Sequence, residues 1–411
     1  MATQAAIATL GSILKDLYLP PVVEQLNNEV LFLQRLEPRS QELVGNQAVV
    51  PLHKNRTGGI GSRGETDALP QPGSQGYAKA VFDLKQHYGR VRVTGLAMAK
   101  TASEAGAFLQ ALKGELDGIR NDLKKDVARQ TYGDGSGKLA GAATGANGAQ
   151  TVTLTSDEPL RKGQIYIGMR IDIGTTANPV AIYDGSTGDR FVTDVNIAAK
   201  TVTVNTGTIG ATTAGTHFLF RQGNLTGATV NEMIGLQGLV SDTGTGIVGG
   251  IDSSAAGNSF WQNQVDSTGG ALTKDQMTKA FNTVNIQGGN VSLMVGSFGM
   301  QRALFNLLQT QVQYIEPLNL KGGFKALEYM GQPFVADLDA PFGHIYFLDE
   351  RFLKVFATSD WHFLDEDGHV LKWVSGFDAW EAVLARYMNL GISRRNVQFV
   401  ASGFNNDPQG V

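Results

Sequence analysis

SEAGAFLQALKGELDGIRNDLKKDVARQTY, residues 103–132, runs directly into GDGSGKLAG, residues 133–141. Phe108, Leu112, Leu116, Ile119, Leu123 and Val127 recur at steps of three and four, the spacing of one face of an α-helix. Thr101 and Glu104 stand three apart ahead of that stripe, in the order of a capping box. At 1.5 Å per residue the stretch predicts a rod of about 45 Å, longer than most globular helices. Lys113, Asp117, Arg120, Lys124 and Asp126 occupy the opposite face, so the helix is expected to pack one stripe and to wet the rest.

The glycines that follow invite comparison with a phosphate-binding loop. Such a loop needs a strand before it, a helix after it, four residues between its first glycine and Gly-Lys, and a hydroxyl after the lysine. Here the helix comes first, Tyr132 stands where the leading glycine belongs, and Leu139 follows Lys138. Gly133 is instead expected to stop the helix in a left-handed conformation.

Upstream, Gln47 to His53 and Lys79 to Thr94 alternate as strands do, with Ala80, Phe82, Leu84, Val91 and Val93 at every second position. Between them lies KNRTGGIGSRGETDALPQPGSQGY, residues 54–77, with six glycines, two prolines and few apolar side chains. A polar stretch of this length is uncommon inside a compact domain and belongs either to a loose hairpin tip or to function. Its charges, Arg56, Arg63, Glu65 and Asp67, are read either as ordinary solvated loop charges or as candidate contacts matched across to a neighbouring subunit. Nearer the start, Ile7, Leu10, Leu14 and Leu17, then Val23, Leu26, Val30 and Leu33 beyond Pro20 and Pro21, form two short amphipathic stripes. Helices this short are marginal without a partner, which leaves both a docking arm and a piece of core open.

Downstream, residues 141–227 are rich in Thr, Ala and Gly, with short alternating runs at 150–154, 164–173, 190–197, 201–205 and 217–221. Turn residues separate them, the texture of a small barrel or sandwich. The next region reads as α/β. Thr273 and Gln276 offer a capping box for a helix carrying Met277, Phe281 and Val284, closed by Gly288 and Gly289. VSLMVG, residues 291–296, reads as a buried strand, and Ser297 caps a helix with Met300, Leu304, Leu307 and Leu308. HIYFLD (344–349) and LKVFA (353–357) are expected to be strands, and WHFLDEDGHVLKWV (361–374) a hairpin turning near Asp367 and Gly368. DAWEAVLARYMNLGISRRNVQFV, residues 378–400, fits helix and strand almost equally by period.

The totals bound the function. A chain of 411 residues is long enough for several domains, and 42% apolar with 18% charged residues describes a globular protein. A net charge of −4 spread over both signs argues against a nucleic-acid-binding surface, so protein partners are expected. The absence of cysteine excludes disulfides, thiolate metal sites and a cysteine nucleophile. No basic segment leads into a continuous apolar run, so neither a signal peptide nor a membrane span is expected and the protein is read as soluble where it is made.

No motif carries chemistry. The histidines at 53, 87, 217, 344, 362 and 369 include no pair four apart on one helix, and Asp365, Glu366 and Asp367 lack the alternation of a calcium loop. Two G-x-G-x-x-G matches, from Gly59 and from Gly244, do not join a strand to a helix, and Ser297 lacks the first glycine of a nucleophile elbow. Asn55, Asn224 and Asn290 sit in glycosylation-type triplets without a secretory signal. No catalytic residue, metal site or cofactor is expected, and the chain is not expected to be an enzyme.

The order of the parts, from arm through polar-tipped hairpin, long helix ending in Gly-Asp-Gly-Ser-Gly, α/β region and terminal strands, resembles the major capsid proteins of tailed bacteriophages. That coat-protein fold is shared with encapsulin shells and herpesvirus capsid floors, and the resemblance extends over residues 1–403. It implies an α+β fold with an N-terminal arm (1–44), an extended β-hairpin loop (45–95) and a peripheral domain (96–140) containing a spine helix (103–132). It further implies an inserted small β-barrel or sandwich (141–227), an axial domain (228–340), and return strands to the peripheral domain with the C-terminus (341–411). Ala379 to Val400 is then strand. The implied function is a coat protein assembling into an icosahedral shell around double-stranded DNA, with an encapsulin-type compartment for protein cargo as the alternative. The implied partners are further copies in hexamers and pentamers, scaffolding and portal proteins, a decoration protein and non-specifically contacted DNA. The implied place is the virion, after assembly in the host cytoplasm. Lys54, Lys79 and Lys85 lie where some family members carry a cross-linking lysine, a match of location alone.

Overall fold

The computed structural model describes residues 31–36, 41–42, 47–95, 105–145, 150–176, 190–205, 209–226, 229–240, 246–309, 318–319, 325–365 and 368–405. The first apolar stripe, from Ile7 to Leu17, and the residues from Val23 to Val30 lie outside these, as do Thr101 and Glu104. The chain divides into two compact units, each assembled from three stretches: residues 1–44, 84–233 and 355–389 in one, and 45–83, 234–354 and 390–411 in the other.

In the first unit, helix Ala105–Tyr132 packs on strand Lys85–Thr94. The strand alternates cleanly, with His87, Gly89 and Val91 inward and Gln86, Tyr88, Arg90 and Arg92 outward. Gly89 is needed at the crossing: a Cβ there would stand 2.5 Å from Leu123 Cδ1. Leu116, Leu123 and Val127 are buried as the stripe predicts. Two expectations about this helix are corrected. Its last turn is buried all round from Val127 to Tyr132, because Phe32 of helix Leu31–Leu36 packs 6.1 Å from the Tyr132 ring and Glu232 and Met233 bond to Arg129 and Gln130. Gly133 is not left-handed; its N–H donates to the Gln130 carbonyl at 3.0 Å, and the positive φ falls on Gly135 and Gly137.

Strand Lys85–Thr94 pairs with Ala379–Ile392, from Lys85 opposite Met388 to Thr94 opposite Ala379. The terminal segment whose period fitted helix and strand alike is therefore strand, ending at Ile392, with a second strand at Phe399–Ser402. The expected hairpin over 361–374 is also corrected. His362–Phe363 and Lys372–Trp373 each pair with Ala379–Ile392, one further along it than the other, rather than with each other. Two-residue strands gain more from a long preformed partner than from one another.

Beyond the helix come two three-stranded antiparallel sheets. One orders Lys138–Gly141, Phe218–Arg221 and Ile171–Gly174; the other orders Thr151–Thr153, Thr201–Val204 and Val192–Asn196. Bridges Ala142 to Leu154 and Arg170 to Phe191 join the free edges on both sides, so the six strands close a ring. Leu139, Val152, Ile171, Ile173, Val202 and Leu219 are among the side chains filling it. The strand expected over 164–173 is confined to Ile171–Gly174: Ile165 and Met169 are buried while Tyr166 and Ile167 face out, and Gly163 and Gly168 take positive φ as turn residues do.

The second unit centres on a seven-stranded mixed sheet, ordered Gln264–Asp266, Phe399–Ser402, His344–Leu348, Leu293–Gly296, Gln332–Ala336, Lys325–Tyr329 and Leu318–Asn319. Helices Lys274–Ile286 and Phe298–Gln309 share its core through Met277, Phe281, Val284, Met300 and Leu304. Thr273 and Gln276 form the capping box that their spacing predicts, and the Met300 N–H donates to Ser297 Oγ at 3.2 Å. Arg395 is fully buried here, its Nε donating to the Leu239 carbonyl at 2.8 Å and its Nη1 to that of Trp261 at 3.3 Å.

Candidate functional site

The four charges singled out in the sequence lie together at the end of a β-hairpin. Gln47–Asn55 and Gly76–Asp83 pair antiparallel, from Gln47 opposite Asp83 to Asn55 opposite Gly76. Ala48, Val50, Leu52, Ala80 and Phe82 are buried along one face, while Val49 and Tyr77 face solvent on the other. The root is fastened within its own unit. The Val81 N–H donates to the Gly249 carbonyl at 2.9 Å, and Gly249, at φ +60°, lies so close that a Cβ would meet Ala80 Cβ at 2.8 Å. Lys54 Nζ stands 6.0 Å from the centre of the Phe260 ring, and Lys85, the third candidate lysine, donates to the Val230 carbonyl at 2.7 Å.

Beyond Asn55 the two arms of the tip stay close. Gly59 N–H donates to Thr57 Oγ1 at 3.2 Å, and a Cβ on Gly73 would touch Thr57. Asp67 N–H donates to the Gly64 carbonyl, and the Asp67 carboxylate accepts from Gly64 N–H at 2.9 Å. Arg63 folds back, its Nε on the Ala68 carbonyl at 3.1 Å and its Nη1 on that of Ser62 at 3.0 Å. The tip is thus a shaped turn with Arg56, Glu65 and Asp67 exposed around it, and it leaves Ile60 at 76% and Leu69 at 83% exposure.

A second constellation escaped sequence reasoning. At the end of the long helix Arg129 donates to both Glu232 oxygens, at 3.1 and 2.5 Å, and to Asp126 at 3.2 Å. Arg221 reaches Asp126 at 2.8 Å, Gln130 Nε2 donates to Asp126 at 2.9 Å, and Asn224 donates to Glu232. Burial favours the neutral Asp126 carboxyl, but the Arg129 and Arg221 guanidiniums outweigh it and hold the pKa low. Burial likewise works against the Arg129 charge, and Glu232 with Asp126 raises its pKa nonetheless. His87, inward on the adjacent strand, is brought down to about 4, first by burial and then by Arg386 and Arg129 against the opposing pull of Asp126. A cavity of about 800 Å³ borders His87, Asp126, Arg221 and Asn224. By the helical period Asp126 belongs to the wet face; Arg129, Gln130 and Arg221, the last far along the chain, engage its carboxylate instead. No local signal marks it.

Among the described residues no cluster of His, Asp or Glu is placed to hold a metal ion, and no helix is long and apolar enough to cross a membrane. No family model matches the sequence, and no curated protein matches it. Solved structures do. The capsid protein of cyanophage A-1(L) superposes with a TM-score of 0.51 at 12% identity, over 89% of this chain and 90% of that one. An encapsulin of Synechococcus elongatus PCC 7942 gives 0.46 at 10% identity, over 92% of this chain and 88% of that one. The chain has a mixed helix-and-strand fold, the one seen in that phage capsid.

Proposed function

We propose that this chain is a major capsid protein whose copies assemble into an icosahedral shell enclosing double-stranded phage DNA, a structural and not a catalytic role. The observation that carries the reading is the likeness to the cyanophage A-1(L) capsid over nine-tenths of both chains. In this reading the hairpin of Gln47–Asn55 and Gly76–Asp83 is the extended loop, Lys85–Thr94 belongs to the sheet of a peripheral domain, and helix Ala105–Tyr132 is the spine of that domain. The ring of strands within 141–227 is an inserted β domain, and the sheet and helices within 228–340 form the axial domain. Residues 1–44 serve as an arm; within 341–411, Leu353–Ala357 and Ala379–Ile392 return to the sheet of the peripheral domain, while His344–Leu348 and Phe399–Ser402 complete the seven-stranded sheet. Copies gather in hexamers and pentamers, with scaffolding, portal and decoration proteins as further partners, inside the host cytoplasm and then in the virion. Modest contacts suffice, because a closed shell repeats each of them many times. In this reading Arg56, Arg63, Glu65 and Asp67 make such contacts.

Electron microscopy of the expressed protein tests this. Uniform hollow particles, or rings of five and six, are the expected result. A monodisperse monomer under all assembly conditions would overturn it. Nucleic acid inside the particles distinguishes a phage coat from a compartment that copurifies with an enzyme.

A further inference from the structure

Among the described residues, strand Lys85–Thr94 is bonded along one edge only, to Ala379–Ile392. The ladder fixes which of its peptide groups are used. Gly95 N–H donates to the Asp378 carbonyl, and in the unbroken antiparallel register such bonds recur at every second residue, Val93, Val91, Gly89, His87 and Lys85. On the long strand the carbonyls of Tyr387, Val383 and Ala379 turn the other way, accepting from Thr358, Leu364 and Val374. The N–H and C=O groups of Gln86, Tyr88 and Arg90 therefore point out of the free edge, where no described residue bonds them. An open edge of this kind is a template for a further strand, and this one carries neither proline nor bulge.

The edge opens into the cavity of about 800 Å³ that borders Asp126 and Arg221. Gln86, Tyr88 and Arg90 line it although their side chains leave on the face away from the long helix, so it is their peptide groups that they present. Thr229 to Asn231 form a further wall, tied to the strand where Lys85 Nζ donates to the Val230 carbonyl at 2.7 Å, and the helix contributes Ile119, Asp122 and Leu123. Charge narrows the occupant. The Asp126 and Glu232 carboxylates are held by Arg221 and Arg129, whereas Asp122 is exposed and has no partner among the described residues. We infer that this groove takes an extended segment of about five residues from another polypeptide, its backbone bonded to Gln86, Tyr88 and Arg90 and a lysine or arginine over Asp122. Alternate side chains of such a strand face the helix, so the neighbours two before and two after the basic residue are apolar and meet Ile119 and Leu123. From Gln86 to Arg90 the slot runs about 17 Å at 3.4 Å per residue, and donors and acceptors spaced along it recognise main chain.

The full chain with the peptide acetyl-Val-Thr-Lys-Thr-Val-amide tests this. In the free chain the amide hydrogens of Gln86, Tyr88 and Arg90 are expected to exchange rapidly and those of His87, Gly89 and Val91 slowly. Peptide at about 1 mM should slow the first set about tenfold. By calorimetry acetyl-Val-Thr-Glu-Thr-Val-amide should bind about tenfold more weakly, and Asp122→Lys should reverse that preference. Tyr88→Pro removes an N–H that the ladder does not use and should weaken the peptide about tenfold, while Tyr88→Ala leaves its affinity unchanged. Should the proline variant not fold, methylating the backbone nitrogens of the peptide gives the same readout on the wild-type chain, where binding should be lost. No slowing at Gln86, Tyr88 and Arg90, or equal affinity for the lysine, glutamate and methylated peptides, would overturn the inference. Equal affinity for acetyl-lysine methylamide would assign the cavity to small molecules and overturn it too. Protection of the same amides without peptide, rising with chain concentration, would assign the edge to a second copy with the same consequence. Each of these results leaves the shell reading untouched.

Discussion

Arg129 shows how much one buried charge governs here. It is 7% exposed and bonded to two carboxylates that are themselves mostly shielded from water. Arg129→Met would leave Glu232 and Asp126 without their main counter-charge. Removing one partner of a buried ion pair costs about 3–5 kcal/mol, and denaturant unfolding of the unassembled chain should show a loss of that order. Arg129→Met with Glu232→Leu should recover part of it, since the pair no longer strands Glu232 while Asp126 keeps Arg221 alone as its counter-charge. His87 sets a pH dependence of definite sign. Its folded pKa of about 4 lies below the ordinary 6.5, so between those values the unfolded chain holds more protons than the folded one. Its contribution is complete above pH 6.5 and is lost as the pH falls toward 4, about 3 kcal/mol in all. His87→Gln should flatten the melting temperature between pH 6.5 and 4, and an unchanged acid slope would discount this residue.

At the scale of elements, the long helix and the strand beneath it meet through a glycine, and two substitutions there should act in opposite directions. Gly89→Val forces a side chain into Leu123, whose Cδ1 lies 2.5 Å from the added Cβ and whose Cγ lies at 3.1 Å. Leucine has some freedom to move, so the cost should be about 1–3 kcal/mol. Gly118→Ala lies on the same helix, on its exposed side, and its Cβ meets nothing within 4 Å. It should stabilise by about 0.5–1 kcal/mol, because glycine in a helix interior loses more backbone freedom than alanine. Thermal unfolding of the two variants checks both signs in one experiment.

For the whole molecule, folding and assembly should be separable at the hairpin tip. Ile60, Arg63, Glu65, Asp67 and Leu69 are exposed, and the bonds of Arg63 and Asp67 stay inside the tip. Replacing residues 58–73 by a short Asn-Gly turn should therefore change the stability of the unassembled chain by no more than about 0.5 kcal/mol. The same change should abolish shell formation as seen by sedimentation and electron microscopy. Were the shortened chain to assemble normally, the tip would have no part in the shell.

Local order was legible in the sequence because it is written in neighbouring residues. The stripe from Phe108 to Val127, the capping box of Thr273 with Gln276 and the alternation of Gln47 to His53 need only a period of 3.6 or 2 to be read. The polar tip was legible for the same reason, since six glycines and two prolines in a short run build no core. Tertiary structure decided the rest. Ala379–Ile392 is buried on both faces for much of its length, so its own pattern has no clear period, and only pairing with Lys85–Thr94 makes it a strand. Closure of the ring depends on Ala142 meeting Leu154 and Arg170 meeting Phe191. Arg129 is buried because Glu232, a hundred residues away, comes to it. Periodicity records which way a side chain faces; what it faces is set by contacts between distant segments, and those exist only once the chain has closed on itself.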